Sequence, residues 1–135
     1  MKLINRISNI FFNKEFILFI IIGIINTFNG VVFSVIYSSL FNENLAFIFG
    51  YISGLIISYI LNSYITFKEK LEFRKFIKFS ISYIPNFIIQ NSVVLITFNI
   101  LGMHKLIAYF LAAIIGIPVT FILLKFFAFN RKMEN

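Results

Sequence analysis

Apolar residues along this chain fall into four long runs with no charge inside them. Phe16–Asn42 is 27 residues long, Asn44–Phe67 is 24, Phe79–Met103 is 25 and Leu106–Leu124 is 19. A bilayer core of roughly 30 Å requires about 20 apolar residues at ~1.5 Å of rise each. Each run meets that length with some tilt or an interfacial end. The pattern predicts an all-α integral membrane protein with a single transmembrane domain over 1–135. Spans are expected at about 16–40, 45–67, 79–102 and 106–127. Ahead of the first run, Leu3, Ile7, Ile10 and Phe11 share one helical face while Lys2, Arg6 and Lys14 lie elsewhere. That spacing suits a short helix in the headgroup region over 1–14. The segment 68–78 interleaves Leu71, Phe73, Phe76 and Ile77 with basic residues and is expected along the interface as well.

Composition closes off the soluble alternative. Sixty per cent of the 135 residues are hydrophobic and 13% are charged, a balance that leaves no polar face for a water-soluble fold. There is no cysteine, hence no disulfide and no thiolate chemistry. The first run is too long for a signal-peptide core and is read as a retained span.

Charge gives the orientation. With four spans, one side carries Lys2, Arg6, Lys14, Lys68, Lys70, Arg74, Lys75, Lys78, Lys125, Arg131 and Lys132, which is 11 of the 12 basic residues. The other side carries Lys105, His104 and Glu43. The positive-inside rule places both termini and the central segment in the cytoplasm. The net charge of +7 is a property of that face, directed at anionic lipid rather than nucleic acid.

The chain also resembles itself. At an offset of 60, Phe16, Ile17, Phe19, Ile21, Ile24 and Asn26 match Phe76, Ile77, Phe79, Ile81, Ile84 and Asn86. At an offset of 62, Ala46, Gly54, Ile60, Leu61 and Phe67 match Ala108, Gly116, Ile122, Leu123 and Phe129. The expected architecture is therefore a duplicated two-helix unit with both halves in one orientation. Small and polar residues recur at i+4: Gly50, Gly54, Ser58, Asn62 in the second span and Ala108, Ala112, Gly116, Thr120 in the fourth. Such ladders permit close backbone approach. The expected arrangement packs these two spans together at the centre; the alternative packs each ladder on its own neighbour or across an oligomer. Asn26 in the first span, and Asn86 and Gln90 in the third, place amides at membrane depth, where they are costly unless bonded. They serve either as interhelical hydrogen bonds or as a polar notch for a headgroup.

Catalytic chemistry is missing from this pattern. The carboxylates are Glu15, Glu43, Glu69, Glu72 and Glu134, all at or beyond span boundaries, and His104 is the only histidine. Metal sites need several such ligands and acid–base catalysis needs a positioned pair. The chain is expected to be no enzyme and to use no cofactor. The spans hold no ionisable residue away from their edges, which argues against a proton-coupled exporter.

The order of Gly23, Asn26 and Thr27 in the first span, Leu61, Asn62, Thr66 and Phe67 closing the second, and Thr120, Phe121, Lys125 and Phe129 closing the fourth resembles the GtrA-like family of small membrane proteins. The resemblance covers about residues 14–132. It departs from the family pattern at Ser63, Ile65, Thr120 and Phe127. It implies a role in cell-surface polysaccharide or wall-polymer synthesis at the cytoplasmic membrane, by translocation of a polyprenyl-phosphate-linked sugar. A second branch implies a non-catalytic subunit that holds a membrane glycosyltransferase. On the translocation reading, Lys125, Lys78 and Arg74 are the expected phosphate contacts, and Asn26, Asn62, Asn86 and Gln90 the expected partners of sugar hydroxyls. Expected partners are membrane lipid, the lipid-linked sugar, a glycosyltransferase and a second copy in a homodimer.

Overall fold

The computed structural model describes residues 1–131; the expectations that name Lys132 and Glu134 lie outside the described residues. The described chain is helical without strands. Its elements are α1 (Lys2–Phe11), α2 (Lys14–Ser38), α3 (Glu43–Leu61) extended by a π turn (Asn62–Thr66), α4 (Phe73–Val94) extended by a π turn (Leu95–Ile100), and α5 (Lys105–Leu123) extended by a π turn (Leu124–Ala128). Four helices are long and apolar enough to cross a membrane, over Lys14–Ser38, Asn44–Thr66, Phe73–Ile100 and Lys105–Ala128. The third begins at Phe73, so part of the segment expected along the interface is already helical.

Side chains start three of the helices. Asn13 opens α2 by accepting from the Phe16 amide, and Asn42 opens α3 by accepting from the Leu45 amide. His104 opens α5, where Nδ1 accepts from the Leu106 amide at 3.3 Å. These acceptors satisfy first-turn donors that have no partner within the helix. The lone histidine of the sequence thus caps a helix.

The chain divides into two compact units, residues 1–71 and the segment from Glu72 onward. In the first, α2 and α3 form a hairpin. The ladder of α3 meets α2: a Cβ added at Gly50 would strike the Ser34 backbone, with its amide nitrogen at 2.7 Å, and one at Gly54 would come to 3.2 Å from Asn26 Oδ1 and 3.5 Å from Gly30 Cα. Ala46 of α3 and Phe19 and Ile22 of α2 are also buried. In the second unit, α4 and α5 form a hairpin. Gly116 of α5 leaves no room for a Cβ against Asn86 Oδ1 and Gln90 Nε2 of α4. Each ladder is therefore met by the first helix of its own hairpin, the own-neighbour arrangement. The outward faces remain apolar, with Phe28, Phe47, Phe87 and Phe110 each about two-thirds exposed, as lipid contact requires.

Both hairpins end their second helix in the same way. Phe67 N donates to Asn62 O and Phe129 N to Leu124 O, each at 2.9 Å; Glu69 N donates to Ser63 O and Arg131 N to Lys125 O, each at 2.8 Å. Between these bonds sit Lys68 at φ 51° and Asn130 at φ 49°. The wide turn and the left-handed residue together occupy terminal carbonyls that lipid could not satisfy. At the far end of α4 the same device recurs around Gly102.

Candidate functional site

Polar side chains on the membrane-spanning helices are mostly turned back on their own backbone. Thr27 donates to Gly23 O at 3.0 Å, Ser34 to Gly30 O at 2.8 Å, Ser82 to Lys78 O at 2.8 Å and Thr120 to Gly116 O at 3.0 Å. Hydroxyls used in this way satisfy themselves in lipid and offer no donor to a ligand. The amides and the cations remain.

In the second hairpin, Gln90 Nε2 donates to Asn86 Oδ1 at 3.1 Å. The pair lies one turn apart on α4, facing Gly116. An amide carries two donors and two acceptor positions, so a single mutual bond leaves capacity on both residues. About two turns before Asn86, at the start of α4, lies Lys78. Its ammonium sits over the Phe127 ring, 5.3 Å from the centroid. Lys125, in the π turn that closes α5, sits 5.7 Å from the centroid of Phe121. Since α4 runs out from this end and α5 returns to it, both cations belong to one end of the hairpin. Phe121 and Phe79 are fully buried, and Phe79 meets Phe129 edge-on at 6.2 Å. Both ammonium groups therefore rest on an aromatic floor while staying half-buried, the position of a side chain that runs along apolar surface with its charge at the headgroup level. Arg74, one turn before Lys78, is exposed. Lys75 beside it reaches Glu72 at 3.2 Å.

The first hairpin places its amides differently. Asn26 points Oδ1 at Gly54, and this buried oxygen has no hydrogen-bond partner. Contact between a carbonyl-type oxygen and glycine Cα–H groups is a recurrent feature of close helix pairs. Asn62 is 1% exposed. Its Nδ2 donates to Ser58 O at 2.9 Å and Ser58 Oγ at 3.3 Å, and its Oδ1 accepts from Thr66 Oγ1 at 3.1 Å. Asn62 thus heads a polar column along one helix, and the i+4 spacing of Ser58, Asn62 and Thr66 carried that signal in the sequence. At the positions that match Lys78 and Lys125, the first hairpin carries Leu18 and Ser63. Ser63 is fully buried and its Oγ has no partner.

Three features of the site were not expected: the glycines that seat the amides, the phenyl rings under the cations, and the π turn that carries Lys125. The π turn has no composition signal. The rings were hidden in a chain with 20 phenylalanines. Among the described residues no cluster of three or more His, Cys, Asp or Glu side chains could hold a metal ion.

A family model described as GtrA/DPMS, transmembrane domain, matches residues 18–129. The match covers all four spanning helices and both hairpins, and points to a role in lipid-linked sugar handling. No curated protein and no solved structure matches the chain.

Proposed function

Starting from the chain's membership of the GtrA/DPMS transmembrane family, we propose that it moves a polyprenyl-phosphate-linked sugar from the cytoplasmic to the outer leaflet of the cytoplasmic membrane. The supporting observation is the end of the second hairpin, where Lys78 and Lys125 stand on aromatic rings below an Asn86–Gln90 amide pair. A phosphate linked to a sugar crosses hydrocarbon slowly because it sheds water without replacement hydrogen bonds. A protein lowers that barrier by supplying charge at the entry and hydrogen-bonding groups at depth, while the polyprenyl tail stays in lipid.

On this reading Lys125 and Lys78 neutralise the phosphate as point charges, and Arg74 supplies a bidentate contact. Asn86 and Gln90 lie about 12–18 Å further along α4 at ~1.5 Å per residue and exchange their mutual bond for sugar hydroxyls. Within the first hairpin, Asn26 keeps an open acceptor, whereas the Asn62 amide is taken up by Ser58 and Thr66. At the positions that match in sequence, the first hairpin carries Leu18 and Ser63 in place of Lys78 and Lys125, and Lys14 in place of Arg74. Both ends of the chain and the segment after Phe67 face the cytoplasm, in accord with the charge distribution. No step of this reading is catalytic, and movement is downhill, drawn by consumption of the lipid outside.

The family description also covers a DPMS transmembrane domain, which supports a second reading: a membrane subunit that holds a polyprenyl-phosphate glycosyltransferase. One experiment separates them. Purified protein is placed in vesicles with the lipid-linked sugar in the inner leaflet, and an impermeant sugar-modifying reagent follows its arrival outside. Acceleration over empty vesicles, lost in Lys125→Ala and in Asn86→Leu, is the expected result. Folded protein that gives no acceleration leaves the subunit reading.

A further inference from the structure

The first helix has an apolar face that its own unit covers only at one end, where Ile10 and Phe11 are half-buried. No residue of α1 is buried, and Leu3, Ile4 and Ile7 are 69%, 70% and 49% exposed. At about 100° per residue, Leu3, Ile4, Ile7, Ile10 and Phe11 fall on one side of the helix, and Lys2, Asn5, Arg6 and Asn9 on the other. The segment 1–14 contains no acidic residue.

Its connection to the membrane is built rather than loose. Asn13 Nδ2 donates to Asn9 O at 3.0 Å, in the last turn of α1, while Asn13 Oδ1 accepts from Phe16 N at 2.9 Å, in the first turn of α2. One side chain therefore closes one helix and opens the next. The Phe11 ring meets Phe16 edge-on at 5.3 Å across the same joint. Since α2 is a spanning helix that begins at Lys14, this elbow holds α1 at the hydrocarbon boundary.

We infer that α1 is a docking helix for an anionic lipid surface. Its exposed apolar side chains, Leu3, Ile4 and Ile7, enter the acyl boundary, and Lys2 and Arg6 meet lipid phosphates. Two observations select lipid over a protein partner. The helix is fixed at the level where headgroups lie, and its charge is purely basic, the complement of an anionic leaflet. The inference is independent of the translocation reading and holds for a scaffold equally.

The chain contains no tryptophan, so a single Trp reports on its own surroundings. The full-length Ile7→Trp protein is reconstituted in vesicles with lipids brominated near the headgroup or near the chain end. Shallow bromines are expected to quench more than deep ones, as for a helix about 5–10 Å into the boundary. Asn5→Trp, on the opposite face, is expected to be quenched far less. Phosphatidylglycerol is expected to raise Ile7→Trp quenching roughly twofold over neutral phosphatidylcholine. That gain should vanish in high salt and in the Lys2→Gln/Arg6→Gln background. Absent quenching at position 7 would overturn lipid docking and point to a protein partner. Equal quenching in both lipids would overturn its anionic character. Unchanged depth in Asn13→Ala would overturn the elbow.

Discussion

At the scale of single residues, the glycines separate by what a methyl group would meet. Gly50 faces backbone of α2, which cannot yield, and Gly116 faces the Asn86 and Gln90 side chains. Gly23 and Gly30 meet nothing within 4 Å. Gly50→Ala is expected to destabilise by about 1–3 kcal/mol, whereas Gly30→Ala gains up to about 1 kcal/mol from helix propensity alone. Thermal unfolding in detergent checks the order. Gly116→Ala displaces the amide pair instead, so it should impair sugar handling more than stability. Ser63 offers a converse case, a buried hydroxyl without a partner. Ser63→Ala is expected to stabilise by about 1 kcal/mol, since an unsatisfied polar atom is removed from the interior.

At the scale of elements, each charge-free run overlaps one of the four helices long and apolar enough to cross a membrane, because lipid imposes length and apolarity more strictly than any local propensity. The ends were less legible. Charges marked Lys78 as outside the third span, yet the helix starts at Phe73: a lysine with an apolar stem continues a helix through the headgroup layer. The ladder of Gly50 and Gly54 announced a close contact but not its partner, since a small residue shows that something approaches and not what. Likewise Asn62 shows the same letter whether its amide bonds a ligand or Ser58 and Thr66. The cations of the second hairpin give the prediction proper to this scale. Lys78→Ala/Lys125→Ala is expected to weaken binding of a polyprenyl-phosphate sugar at least about tenfold, given the ~1.5–3 kcal/mol of a charged hydrogen bond. Each single change is expected to do less. Equilibrium binding to the detergent-solubilised protein measures both, and its decline with added salt is a second check.

For the whole molecule, the amino acids absent from the sequence make topology measurable. With no cysteine, single substitutions label without background. Lys70→Cys and His104→Cys are expected to react oppositely with an impermeant maleimide in intact cells: position 104 at once, position 70 only after permeabilisation. The same side for both would refute a four-span topology with cytoplasmic ends. Within each unit the helices satisfy one another, amide on glycine and ring on ring. Most of the remaining apolar surface is of the kind a bilayer covers.

The left-handed Lys68 has a consequence for what this membrane unit can carry. By reversing the backbone directly after the π turn, it completes the first hairpin's hydrogen bonding at Glu69 N. Lys70 and Leu71 then remain as a tether with no part in either hairpin's closure. A splice at that point adds a passenger without opening a helix. A fluorescent protein inserted between Lys70 and Leu71 should leave both hairpins in the membrane, whereas the same cargo inserted between Phe67 and Lys68 should unravel the end of the first. A unit built in this way can exchange soluble cargo at its tether while its membrane-embedded hairpins stay the same.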